Sequence, residues 1–267
     1  MVNEIVEFYS EYNEKGRLIE RHSLEKIRTQ EIILRHLAKK PQKIIDIGGA
    51  AGVYSFWLAE LGHIVDLIDL VPKHIQQIKE IETIEGKKIN SAIVGNALAL
   101  PYEDNLYDIA LLMGPLYHLQ DREQRILALK EAKRVLKKDG ILFAAAITKY
   151  ASMLDGFKYD LIADPEFQNI MLNDIKTGKH NNVNKIENYF TYSYFHSPNE
   201  LKNEVEEAGL KYMEILPVEG FGNIYKDVEM KMEDESYSKL LLECILLTES
   251  DPTFLAVSSH YLIVGKK

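Results

Sequence analysis

Lys43-Ile44-Ile45-Asp46-Ile47-Gly48-Gly49-Ala50-Ala51-Gly52, followed by Ile64-Val65-Asp66-Leu67-Ile68-Asp69, decides how this sequence folds. An apolar run of strand length enters a glycine-rich turn, and the turn opens a helical pattern. A second apolar run then ends in a carboxylate 21 residues after Gly48. In a parallel sheet that spacing sets the turn and Asp69 side by side at the C-terminal edge, where open α/β folds take their ligands. Glycine lets backbone approach a ligand closely, and a carboxylate at the next strand end accepts hydrogen bonds from a ribose diol. The dinucleotide fingerprint GxGxxG started at Gly48 would need glycine at Ala50 and Val53, and no lysine stands where a P-loop requires one.

Working outward, strand and helix patterns alternate with short connections from Lys43 to Lys149, as in a parallel sheet covered on both faces. The strands are read at Lys43–Ile47, His63–Asp69, Asn90–Val94, Asp108–Met113 and Ile141–Thr148. Gly62 stops the helix holding Tyr54, Phe56 and Trp57, and Pro72 starts the next. Asp121, with Gln124 three residues on, caps a helix reaching Lys138 whose apolar stripe includes Ile126, Leu129, Ala132 and Leu136. Further on, Ser197-Pro198-Asn199-Glu200 is a capping box, and Gly209 closes its helix. Strands at Leu210–Val218 and Phe254–Val264 flank a helix over Ser236–Thr248.

The turn resembles motif I of the class I S-adenosylmethionine-dependent methyltransferases, DxGxGxG, with Asp46, Gly48 and Gly52 matching and Ala50 in place of the middle glycine. Gly95-Asn96-Ala97-Leu98-Ala99-Leu100-Pro101 resembles the family's GDAxxLP segment, and Leu111 to Leu119 resembles the stretch that ends its fourth strand. The resemblance implies an α/β, Rossmann-like, seven-stranded, mostly parallel sheet with an antiparallel last strand and helices on both faces. It covers residues 42–148 by motif and the remainder by element order. S-adenosylmethionine would then be the cofactor and S-adenosylhomocysteine the product. The resemblance places Gly48, Gly49, Ala50 and Gly52 along the methionine and ribose, Asp69 on the ribose hydroxyls, and Leu70 against adenine. Asn96 and the Ala97 amide would meet the adenine ring, and carbonyls at Met113 and Gly114 the methionine ammonium.

Two stretches fall outside this core. Residues 1–40 form a helical extension with an aromatic and charged segment in which Tyr9, Tyr12 and Arg17 stand out; related enzymes close such a segment over the cofactor, an arginine pairing the carboxylate. Residues 150–196 form an insertion with the aromatic run Tyr189, Phe190, Tyr192, Tyr194, Phe195 and His196, placed at a strand end where insertions cover the ligand edge as a substrate lid. The same aromatics also fit a simple core or strand pair. Residues 41–149 hold the cofactor-binding core, and 197–267 complete the same α/β domain. For chemistry, His118 is the candidate general base and its neighbour Tyr117 the alternative, both just past the fourth strand. Orienting donor and acceptor also accelerates transfer without a base.

Composition bounds the function. A chain of 267 residues can bury a substantial core, and a formal charge of −9 argues against a nucleic-acid footprint and for a small-molecule acceptor. Cys244 is the only cysteine, which removes internal disulfides and CxxC sites and fits a reducing cytoplasm. Residues 1–17 have no long apolar core and read neither as signal peptide nor membrane span. The histidines show no ligand spacing with carboxylates, so no metal is expected. The expected activity is methyl transfer from S-adenosylmethionine to a small molecule by in-line displacement. The alternatives are an NAD-dependent oxidoreductase and a non-catalytic S-adenosylmethionine-binding protein.

Overall fold

The computed structural model describes residues 2–11, 23–184, 186 and 189–267. Among the described residues two helices, α1 (Val2–Glu11) and α2 (Ser23–Leu34), precede the alternating core: β1 (Lys43–Ile47), α3 (Val53–Glu60), β2 (Ile64–Asp69), α4 (Pro72–Glu85), β3 (Ser91–Val94) and β4 (Tyr107–Leu112). There follow α5 (Pro115–His118), α6 (Arg122–Val135) and β5 (Leu136–Ile147), then α7 (Ala151–Lys158), α8 (Pro165–Thr177) and the short pair β6 (Lys179–His180) and β7 (Ser193–Tyr194). The chain ends with α9 (Pro198–Glu207), β8 (Lys211–Pro217), α10 (Val228–Lys231), α11 (Glu235–Thr248) and β9 (His260–Lys266). Seven strands form one sheet in the order β3-β2-β1-β4-β5-β9-β8, with β9 antiparallel to both its neighbours. This is the expected Rossmann-like sheet with an antiparallel last strand. Among the described residues no helix is long and apolar enough to cross a membrane.

Alternation along the strands builds two cores. Ile45, Ile47, Leu112, Leu142 and Ala144 face one side, where Leu129 and Val135 of α6 and Leu201 and Val205 of α9 cover them. Ile44, Val65, Leu111, Phe143 and Leu262 face the other, under Ile32 and Ile33 of α2 and Tyr54 and Leu58 of α3. Burial on both faces explains why the central strands read as unbroken apolar runs.

Three boundaries differ from the sequence reading by three residues or more. The helix expected to reach Lys138 ends at Val135, because Leu136 already pairs with Tyr107 in the β4–β5 ladder, and β5 starts five residues before Ile141. Its Asp121 cap accepts from the Glu123 amide instead of forming a box with Gln124. The strand expected from Phe254 begins at His260, because Asp251 caps a short 3-10 turn over Pro252–Val257. The Ser197–Glu200 capping box is present with both of its arms.

The excursion after β5 leaves and rejoins the sheet at one place: Thr148 bridges His196, the Lys149 amide donates to the His196 carbonyl (3.0 Å), and the His196 amide donates to Ile147 (2.7 Å). Below that junction the buried Arg125 guanidinium forks onto Glu204 and stacks on the Tyr194 ring at 3.6 Å, while His196 Nε2 lies 3.2 Å from Glu204. Tyr194 and His196 are therefore spent on packing. Phe190 instead reaches Tyr117 and His118.

Candidate active site

The turn after β1 is built from residues with positive φ: Gly48 at 75°, Ala50 at 47° and Gly52 at 80°. Ala50, which replaces the middle glycine, thus keeps the left-handed geometry that glycine adopts most cheaply. Asp69 holds the turn in place. Its Oδ2 accepts from the Ala50 amide at 2.9 Å, and its Oδ1 accepts from the Val71 amide at 2.8 Å and pairs with His74 Nδ1 at 2.9 Å. A Cβ on Gly48 would come within 2.7 Å of Pro115 Cδ, so glycine there serves the packing of the β1 turn against the β4 end. Asp46, the penultimate residue of β1, accepts from the Ser55 hydroxyl at 2.6 Å through Oδ2, while its buried Oδ1 has no partner. Burial pushes the Asp46 carboxyl up to about 7, against the Ser55 hydrogen bond and with help from the Asp69 charge.

A cavity follows this edge of the sheet. Asp69, Leu70, Asn96 and Ala97 line one end; Gly48, Gly49, Ala50, Met113 and Gly114 line the middle. Tyr117 and His118 border it where α5 begins. The other end is formed by Val218, His260 and Leu262 of the last two strands, with Glu25 and Thr29 of α2. Gly52 does not line the cavity; its Cβ position faces Phe56 at 3.2 Å, and it starts α3. Asn96 Oδ1 accepts from the Leu98 amide at 3.0 Å and so shapes its own turn. Tyr12 and Arg17 lie outside the described residues.

Helix α1 closes over the cavity through Ile5 and Tyr9. The Tyr9 hydroxyl lies 2.8 Å from His118 Nε2, a buried hydrogen bond between residues 109 apart in the chain. Tyr9 also meets the rings of His74 and His118 edge-on at 5.5 and 5.3 Å, and Phe190 comes within 5.7 Å of His118. Burial pushes the His118 imidazole down to about 4, with the Asp69 charge opposing.

Sequence reading missed His74, Glu25, Glu219 and His260. Glu25, Glu219 and His260 come from three distant segments, yet their ligating atoms lie within 4.8 Å of one another. Spacing along the chain carried no sign of that cluster. The expected antiparallel last strand held a usable signal, because it brings its own start, and the end of the strand before it, to the ligand edge.

Residues 45–144 match the sequence profile of a methyltransferase domain, over the segment that carries the turn, Asp69 and the β4 end. Over these residues the chain carries a methyltransferase domain. Among curated relatives, an uncharacterized methyltransferase of Schizosaccharomyces pombe is 28% identical over 46% of this chain and 46% of its own length. Norajmaline N-methyltransferase of Rauvolfia serpentina is 32% identical over 33% of this chain and 31% of its own. The chain thus spans less than half the length of these relatives. The solved structure of the PH0226 protein of Pyrococcus horikoshii shares the fold, with a TM-score of 0.64, 17% identity and coverage of 97% of this chain and 98% of that one. The helices before β1, the excursion after β5 and the last two strands lie outside the profile match, and they carry Tyr9, Phe190, Glu25, Glu219 and His260.

Proposed function

We propose that this methyltransferase transfers a methyl group to a small-molecule acceptor by in-line displacement. The observation that carries the reading is the covered cavity, in which Ile5 and Tyr9 of α1 roof a space continuous with the Gly48–Asp69 edge. A roofed space admits a small acceptor and excludes bulk water. S-adenosylmethionine supplies a methyl already activated on a sulfonium. Asp69 Oδ2, with one donor engaged, has capacity for a ribose hydroxyl, Leu70 flanks adenine, and Asn96 and Ala97 lie beside it. Gly48, Gly49 and Ala50 lie along the methionine. The unpartnered Asp46 Oδ1 and the carbonyls of Met113 and Gly114 suit an ammonium group. Tyr12 and Arg17 are assigned to the methionine carboxylate on sequence grounds alone.

His118 is given a positioning role. An imidazole near 4 stays neutral at pH 7 and is a weak proton acceptor, and its Nε2 is engaged by Tyr9. The pair latches α1 over the site. His118→Ala and Tyr9→Phe are therefore expected to raise the KM for donor and acceptor while lowering kcat by less than about tenfold, against roughly a hundredfold or more for loss of a general base. A large kcat loss confined to His118→Ala would restore the base role to it.

Calorimetric titration tests the whole reading: S-adenosylhomocysteine should bind one to one and NAD should not, and the reverse result would sink it. Asp46 adds a pH signature. Its folded pKa of about 7 lies above the ordinary carboxylate value, so the free protein holds an extra proton between that value and 7 and loses stability as pH rises through this window. An ammonium docking beside Asp46 would expel that proton, about half a proton per site at pH 7. Binding heats measured in phosphate and in Tris should then differ, and Asp46→Asn should remove the difference.

A further inference from the structure

The carboxylate at the end of β2 has no room for a whole ribose diol. An ionised carboxylate offers about four lone-pair positions. Three of those on Asp69 are taken: Oδ2 accepts from the Ala50 amide at 2.9 Å, while Oδ1 accepts from the Val71 amide at 2.8 Å and from His74 Nδ1 at 2.9 Å. One position is left, on Oδ2. A diol docked here brings two hydroxyl donors, so the second needs another acceptor in the same wall. His74 stands in the first turn of α4, lines the cavity with Asp69, and is 3% exposed. The carboxylate only accepts, so in the neutral ring the single proton lies on Nδ1 and Nε2 presents a lone pair. That nitrogen is buried and has no partner. The Tyr9 ring meets the imidazole edge-on at 5.5 Å, and Val71 packs with Ile5 and Tyr9, so the ring sits under the cover that α1 makes. A buried acceptor without a donor is costly and calls for an occupant that brings one. His180 Nε2 and His196 Nδ1 are also buried without a partner, but neither ring lines the cavity.

Resting on the donor placement above, we propose that the ribose of S-adenosylmethionine is held by two acceptors, one hydroxyl on Asp69 Oδ2 and the neighbouring hydroxyl on His74 Nε2. His74 then serves twice. Its Nδ1–H braces the carboxylate, and its Nε2 takes the hydroxyl for which the carboxylate has no position left. One hydrogen bond does both jobs, because the bond that occupies Asp69 Oδ1 also sets the tautomer that leaves Nε2 an acceptor. Selectivity for the sugar follows. A ribose that lacks either hydroxyl leaves Asp69 Oδ2 or His74 Nε2 short of a donor beneath α1, so the site rejects both deoxy forms rather than one. A buried water is the competing partner of Nε2, and it would stay whichever sugar is bound.

Calorimetric titration of the full chain with S-adenosylhomocysteine and with its 2′-deoxy and 3′-deoxy analogues tests the assignment. The parent should bind S-adenosylhomocysteine, and each analogue roughly fivefold or more weakly. His74→Asn isolates the ring: its amide nitrogen stands where Nδ1 does and keeps the brace on Asp69, while nothing replaces Nε2. The variant should melt near the parent temperature and bind S-adenosylhomocysteine roughly fivefold more weakly. One of the two analogues should bind parent and variant alike, within about twofold, and the other should lose the same factor as S-adenosylhomocysteine. A parent that does not bind S-adenosylhomocysteine refutes the donor placement and takes this proposal with it. Once that binding is seen, three results overturn the proposal alone. The first is an analogue that binds the parent as tightly as S-adenosylhomocysteine, a result that does not depend on the variant folding. The second is unchanged S-adenosylhomocysteine affinity in His74→Asn. The third is a loss in His74→Asn that is equal for all three ligands, which would leave His74 acting through Asp69 alone or holding a water.

Discussion

Gly48→Val is expected to yield a protein that melts well below the parent and no longer binds S-adenosylhomocysteine. Two costs combine at this position. A branched residue at φ 75° is strained by about 1–2 kcal/mol, and its Cβ would stand 2.7 and 2.8 Å from Pro115 Cδ and Cγ, a proline ring that cannot swing aside. Together these should exceed about 3 kcal/mol, or roughly 6–12 °C in Tm for a chain of this size. Gly62→Val is the internal control: its φ is 89°, yet nothing lies within 4 Å of its Cβ position, so it should show the backbone cost alone. Equal melting of the two variants would show that the Pro115 contact carries no weight.

Asp69→Ala should abolish measurable S-adenosylhomocysteine binding, a loss of at least about a hundredfold, because the ribose acceptor goes and the turn loses its brace at once. The amides of Ala50 and Val71 and the His74 ring would each be left without their carboxylate. Each abandoned donor costs about 1–3 kcal/mol, so the alanine variant should also be less stable. Asp69→Asn separates the two effects, since its single carbonyl oxygen retains part of the brace without the charge. It should fold near the parent temperature and still bind at least tenfold more weakly, on the order of the loss of one charge-assisted hydrogen bond. Parental affinity in Asp69→Asn would remove the ribose from this carboxylate.

These two positions also show what a sequence discloses. Asp69 was legible because turn, helix and strand lengths fix its place by arithmetic along the chain, and the same arithmetic gave the succession of strands and helices up to β5. Gly48 was legible as a position, but a second reason for glycine there was not: a Cβ would also meet Pro115, a neighbour 67 residues on. Contacts that depend on packing between distant segments left no pattern to read. Tyr9 and His118 were each noticed, yet their hydrogen bond, and the burial that lowers the imidazole, exist only once α1 lies across α5. Glu25, Glu219 and His260 have no shared period or spacing, and only the reversed last strand unites them. The overlong α6 reading had a local cause, since Leu136 fits both a helical stripe and a strand, and pairing with Tyr107 decides for the strand.

The chain leaves the sheet after Ile147 and returns at His196 through hydrogen bonds to the very residues it left, so the intervening segment is anchored like a cassette with both ends in one socket. An evolving lineage can therefore exchange the segment between these anchors without rebuilding the β1–β4 edge that lines the cavity. For an engineer the same socket marks where a foreign segment, spliced between Thr148 and His196, should alter which acceptor is taken while leaving the donor's seat intact.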